Sequence, residues 1–177
     1  MKPTEHLLDV MQKTGSKVYL YSFAWQSPKK LLGAPHCIDL PFIFVTLFVG
    51  LLDLATGHLC YCNAGHDAPY IQTEQLPCNP NLPIGVMSEW KFTEQETMLN
   101  PNTMIFLYTD GLTEAENSAK ELFGEERVTD VINSHLNDSY LPQELIEDMT
   151  NAVHQFVCGT EQSDDITMVA IKYTHEK

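Results

Sequence analysis

The sequence predicts an α+β domain built on a largely antiparallel sheet, and three observations carry that reading. Strand signals crowd residues 42 to 110, two segments with a 3.6-residue apolar period follow, and an apolar, β-branched run, ITMVAIKY, returns to the sheet. The chain has 177 residues, 44% of them hydrophobic and 10% aromatic, enough to bury one core. No internal repeat or low-complexity linker divides it. Residues 1–41 read as an irregular segment with a short helix, and residues 42–177 as the body of the domain.

Pro3 and Thr4 precede Leu7, Leu8 and Met11 at helical spacing, which predicts a short amphipathic helix. Val18 to Trp25 has the composition of a strand, and Gln26 to Asp39 that of a loop. FIFVTLFVGLLDL from Phe42 is a strand, Ala55-Thr56-Gly57 a turn and HLCYCNA a second strand; together they predict an antiparallel hairpin. Pro69 to Thr73 continues as a short strand after the Gly65-His66 corner. Lys91 to Leu99 alternates polar and apolar residues, Asn100-Pro101-Asn102 turns the chain, and MIFLYT is a buried strand ending at Asp110. A helix over 125–136 shows Val128, Val131, Ile132 and Leu136 on one face. A second helix starts at Pro142, directs Leu145, Ile146, Met149, Val153, Phe156 and Val157 to a core, and stops at Gly159.

Ten Lys plus Arg against 24 Asp plus Glu give a formal net charge of -14. Such a charge repels nucleic-acid phosphates and anionic lipid and argues against both as partners, whereas a divalent cation suits it. The first residues lack the apolar stretch of a secretory signal, so the expected compartment is the cytoplasm. The apolar run from Leu40 to Leu52 is shorter than the ~20 residues that span a bilayer. The five cysteines are an odd number without CxxC spacing; Cys60 and Cys62, although near His58 and His66, read as small thiols on one strand face rather than as zinc ligands.

Two acidic positions stand out by context: Asp110 in YTDGLTE at the end of a buried strand, and Asp164-Asp165 in QSDDIT at the start of another. Carboxylates at strand ends that converge on one sheet rim offer hard oxygens for Mg²⁺ or Mn²⁺. The same residues also suit a plain Asp-Gly turn and a solvated loop, and sequence separation does not decide between the two.

A resemblance adds to this reading. FVTLFVGLLDLATGHLCYCNAGHDAPY, LPIGV, MIFLYTDGLTEAEN, ELFGEERV and QSDDITMVAIKY occur in the order found in PPM-type (PP2C-like) serine/threonine phosphatases of the bacterial sporulation and sigma-factor-regulator branch, which residues 42 to 173 resemble. The resemblance implies an αββα sandwich of antiparallel sheets flanked by helices, with Mn²⁺ or Mg²⁺ at its rim. It implies hydrolysis of phosphoserine or phosphothreonine on a regulatory partner protein, such as an anti-sigma-factor antagonist. Asp110 and Asp164 match family metal-binding positions, with Asp165 beside them and Gly111 letting the backbone pass close to the site. Asn63, Gly65 and His66 match the family's NAGH corner, where His66 is either a general acid toward the leaving serine or a structural histidine of the turn. Glu114 and Glu116 read as a solvated helix start or loop.

Members of this branch also carry, upstream of the FVTLF strand, a Gly-Asp pair and an Asp-Val-x-Gly-x-Gly turn whose aspartates bind and bridge the metals. Residues 1–41 contain neither; Asp9, followed by Val10 and Gly15, is their nearest match. The expectation is therefore a domain incomplete at its amino-terminal side. The alternative to an active enzyme is a weak or inactive pseudophosphatase, or a truncated fragment, acting as a protein-binding module.

Overall fold

The computed structural model describes residues 45–134, 139–162 and 164–174. In chain order its elements are β1 (Leu47–Leu52), β2 (His58–Ala64), β3 (Tyr70–Ile71), β4 (Glu74–Gln75), β5 (Gln95–Met98), β6 (Thr103–Tyr108), α1 (Asp110–Thr113), α2 (Gly124–Ser134), α3 (Pro142–Val157) and β7 (Met168–Tyr173). The helix expected near residues 7–11, the strand expected at 18–25, and the first residues of the FIFVT strand lie outside the described residues. The chain forms two compact units, the described part of one being residues 45–66 and 78–98, and of the other residues 67–77, 99–134, 139–162 and 164–174.

In the first unit, β1 and β2 make the expected hairpin, with Leu52 opposite Leu59 and Leu47 opposite Ala64. The turn closes locally: Gly57, at φ 78, donates its N–H to Asp53 O at 2.8 Å, and the Asp53 carboxylate accepts the Ala55 N–H at 2.9 Å. Along β2, Leu59, Tyr61 and Asn63 are buried while His58, Cys60 and Cys62 are half-buried, the period of two that a one-sided sheet requires. β5 pairs with the other edge of β2, giving the order β1-β2-β5. β5 is shorter than the alternation of residues 91–99 predicts. The Asn81 side chain accepts the Thr93 N–H at 3.1 Å and donates to Thr93 O at 3.3 Å, so a side chain occupies the groups that a longer ladder would use.

The second unit is a four-stranded antiparallel sheet of order β4-β3-β6-β7, with α2 and α3 in the same unit. β6 lies between β3 and β7 and is buried at every position but Leu107, which explains why its sequence is a continuous apolar run instead of an alternation. α3 opens on Pro142, with the Glu144 carboxylate accepting the Leu141 N–H at 2.7 Å. It ends where Cys158 adopts φ 49 and Gly159 φ 86. Leu145, Met149, Val153 and Val157 are buried on one face of α3; Ile146 and Phe156 pack at its margins. Val128 and Ile132 of α2 join the same core. The two helices are further tied by Arg127, whose guanidinium sits 4.4 Å from the Phe156 ring centre and donates to Phe123 O at 2.8 Å.

One element was not expected. The single turn α1 follows directly on β6, where the sequence suggested only a loop or helix start near Glu114 and Glu116. Leu112 and Ala115, both fully buried, draw the chain inward. Glu114 stays exposed, and Glu116 pairs with Lys120 at 2.6 Å.

Met149 has no exposed surface and stands at the centre of the α3 face. Met149→Ala should cost about 2–5 kcal/mol, read as a lower urea midpoint with an unchanged denaturant slope. An unchanged midpoint would show that α3 does not cover this core.

Candidate functional site

The last pair of the β6–β7 ladder is Tyr108 with Met168. Residues just after β6 and just before β7 therefore emerge at the same rim of the sheet, and these are Asp110 and the Asp164-Asp165 loop. The ladder continues one step past its last pair, with the Thr109 N–H donated to Thr167 O at 3.0 Å. The Thr109 hydroxyl donates to Asp165 O at 3.2 Å and accepts the Thr167 N–H at 3.0 Å. From the facing loop, the Gln162 side-chain amide donates to Gly111 O at 3.1 Å.

Gly111 is the point of closest approach. A Cβ built on it would stand 2.5 Å from Asp165 O and 3.0 Å from the Asp165 carbonyl carbon, inside van der Waals contact with backbone that cannot swing aside. Only glycine lets the two loops meet at this distance.

Each aspartate that begins a loop step is oriented by its own neighbour. Asp110 Oδ1 accepts the Gly111 N–H at 3.0 Å, and Asp164 Oδ1 accepts the Asp165 N–H at 2.8 Å. Asp110 and Asp165 are exposed and Asp164 is half-buried. The structure thus brings Asp110, Gly111, Asp164 and Asp165 to one place. Of the other expected residues, His66 belongs to the first unit, and Asp9 lies outside the described residues.

The His66 corner has a structural support of its own. Asn63, 5% exposed, donates from Nδ2 to His66 O at 2.7 Å and accepts the His66 N–H on Oδ1 at 2.8 Å. Gly65 follows at φ +75, where a Cβ would stand 2.8 Å from the Pro83 ring. The turn is thereby fixed through Asn63 and Gly65.

The resemblance implies a divalent ion, and the rim offers donors of a suitable kind. Asp110 and Asp164 offer hard carboxylate oxygens of the kind Mg²⁺ and Mn²⁺ take. Among the described residues no group of three or more His, Cys, Asp or Glu is placed to share one ion. The residues present therefore fit such an ion in kind, and those described are too few to hold it by themselves. His58, Cys60 and Cys62 share one face of β2, yet His58 Nε2 is 2.7 Å from the Glu96 carboxylate and the thiols form no metal cluster.

Sequence reasoning missed Thr109 and Gln162. A threonine before Asp-Gly and a glutamine in a polar loop carry no sequence signal for bonds to a segment more than 50 residues away.

Comparison with known proteins gives the context. The family model described as Stage II sporulation protein E (SpoIIE) matches residues 25–174. The protein IcfG of Synechocystis is 30% identical over 133 residues, 73% of this chain and 20% of IcfG, so the chain spans about a fifth of that relative. Among solved structures, the Mn-presoaked phosphatase domain of the cell fate determinant SpoIIE from Bacillus subtilis aligns at TM-score 0.56 and 15% identity, over 75% of this chain and 58% of that one. The RsbU and RsbW domains of a Mycobacterium tuberculosis protein align at 0.54 and 23%, over 75% and 37%. The SiaA-PP2C domain of Pseudomonas aeruginosa aligns at 0.54 and 22%, over 66% and 46%. These likenesses show the fold, an α+β fold of antiparallel sheets and few helices, that of PP2C-like phosphatase domains. No helix among the described residues is long and apolar enough to cross a membrane.

Two outcomes follow from this geometry. Gly111→Ala must force the two loops apart and should lower stability by about 1–3 kcal/mol, with faster amide exchange at Asp165 and Thr167; native-like exchange there would disprove the close approach. Desolvation, then the Glu94 and Glu96 carboxylates, raises the Cys60 thiol pKa, and desolvation, Cys78 and Glu94 raise that of Cys62. Since thiolate is the reacting form, iodoacetamide at pH 8 should label exposed Cys158 before either, as read by peptide mass spectrometry; equal rates would contradict this environment.

Proposed function

The chain belongs to the stage II sporulation protein E family, and from that premise we propose that it is a Mn²⁺- or Mg²⁺-dependent protein serine/threonine phosphatase. Its substrate is a phosphoserine or phosphothreonine on a regulatory partner protein of the anti-sigma-factor-antagonist kind, met in the cytoplasm. The observation that carries this reading is the meeting of the Asp110 turn with the Asp164-Asp165 loop across Gly111. Two chain segments with over 50 residues between them are held in contact at one rim, and both bear a carboxylate with one oxygen already fixed.

In this reading Asp110 and Asp164 hold the cation, and Asp165 adds negative charge beside them. When bound, the cation supplies an activated water and neutralises charge on the phosphoryl oxygens. The remaining work falls to the chain's own groups. Gly111 keeps the two loops in contact, and Asn63 fixes the backbone that presents His66. His66 is the candidate general acid toward the leaving serine oxygen, a role drawn from the family resemblance and not from this geometry. The Mn-presoaked state of the SpoIIE domain supports manganese as the first ion to test.

Calorimetry should show Mn²⁺ uptake by the wild-type chain, and Asp110→Asn should remove it with little change in fold, because the substitution deletes charge and keeps shape. Turnover on a phosphoserine peptide should depend on Mn²⁺, require millimolar concentrations, and be lost in Asp110→Asn. Phosphatase activity that survives both chelator and Asp110→Asn would defeat the assignment.

His66 has a sharper test in the leaving group. p-Nitrophenolate departs without a proton and serine alkoxide does not, so His66→Asn should depress turnover of a phosphoserine peptide by about 10²-fold while leaving p-nitrophenyl phosphate nearly untouched. Equal losses on both substrates would make His66 structural.

A further inference from the structure

Two side chains outside the candidate ligand set join the Asp110 turn to the facing loop. Thr109 stands at the N-cap of α1, with φ -96 and ψ 159, where a threonine hydroxyl ordinarily accepts an N–H from the first helical turn. It makes no such bond. Its hydroxyl turns across the rim instead, to Asp165 O at 3.2 Å and the Thr167 N–H at 3.0 Å. Gln162 spans the gap in the opposite sense, from its side-chain amide to Gly111 O at 3.1 Å. With the Thr109 N–H on Thr167 O at 3.0 Å, these bonds cross between the loops without using either the Asp110 or the Asp164 carboxylate.

We propose that Thr109 and Gln162 are positioning residues, a two-sided latch that holds the Asp110 and Asp164 backbones together before a cation arrives. The inference rests on the metal reading above and extends it to residues with no ligand role. Asp110, Asp164 and Asp165 repel one another, and loops joined only by their ends would relax apart in the absence of metal. A latch made of backbone and neutral side chains opposes that repulsion and leaves the carboxylates available. A cation then binds a preformed site and need not order two loops, which strengthens its binding.

The test uses the whole chain. Thr109→Val keeps shape and removes the hydroxyl, Thr109→Ser restores it, and Gln162→Met removes the amide at similar length. Thr129→Val, which breaks the 2.9 Å contact with the Tyr70 hydroxyl on another part of the unit, serves as the control. Mn²⁺ affinity by calorimetry should fall by about 10–100-fold in Thr109→Val and in Gln162→Met, the range typical of residues that orient metal ligands. Thr109→Ser should return to near wild type, and Thr129→Val should bind as wild type does. In metal-free protein, amide exchange at Thr167 should accelerate in Thr109→Val and recover in Thr109→Ser. Wild-type affinity in Thr109→Val and Gln162→Met, while Asp110→Asn loses the ion, overturns the latch alone. A wild-type chain that takes up no Mn²⁺ overturns the latch and the metal reading together.

Discussion

The antiparallel pairing of β6 with β7 is the constraint on which the candidate site depends. The ladder from Thr103 opposite Tyr173 to Tyr108 opposite Met168 fixes which residues emerge together at its end. A slip of one residue would turn one strand's faces over relative to its partner and move Asp110 relative to the loop it meets. What prevents the slip is burial. Phe106 and Tyr108 are nearly inaccessible, and both belong to the core that α2 and α3 complete with Val128, Leu145 and Met149. The apolar faces of two helices thus hold the register, and the register holds the rim.

At the rim the controlling quantity is distance between backbones. Most strand ends diverge into loops, because side chains of ordinary size keep neighbouring segments apart. Here a missing Cβ at Gly111 lets a turn of helix lie against the Asp164-Asp165 peptide. Leu112, wholly buried one residue later, anchors that turn from below. A close approach above and an anchored side chain beneath leave α1 little freedom, although it is too short to be stable alone.

Much of this was legible in the sequence where the determinants are local. The β1–β2 hairpin follows from a Gly-containing turn between two β-rich runs, and α3 from Pro142, its apolar stripe and Gly159. Asp110 and Asp164 were recognisable as carboxylates at strand ends. Their convergence was not, because the pairing of β6 with β7 is set by burial of residues distributed over the whole unit. α1 escaped notice because one turn has no periodicity to read. β5 is shorter than its sequence suggests because alternation at residues 91–94 carries no trace of the Asn81 side chain that engages Thr93. The NAGH corner shows a subtler division: the residue type that attracts attention is His66, while Asn63 makes the hydrogen bonds that shape the turn.

The distribution of cations gives the rim its electrostatic meaning. The second unit has three described Lys or Arg residues, and each is engaged elsewhere. Lys120 pairs with Glu116 at 2.6 Å, Arg127 lies over Phe156, and Lys172 donates to Tyr140 O at 3.0 Å. None of them forms an ion pair with Asp110, Asp164 or Asp165. An ordinary surface would spread such charges or pair them, since like charges on adjacent loops oppose the contact that brings them together. This chain spends a glycine, a diverted threonine cap and a glutamine amide to keep them adjacent. Solvent screening lowers the cost of that arrangement without giving it a purpose; a divalent cation would turn the same repulsion into attraction. Among the described residues of this unit, no Lys or Arg pairs with the three loop carboxylates, which suits the proposal that their counter-charge comes from solution.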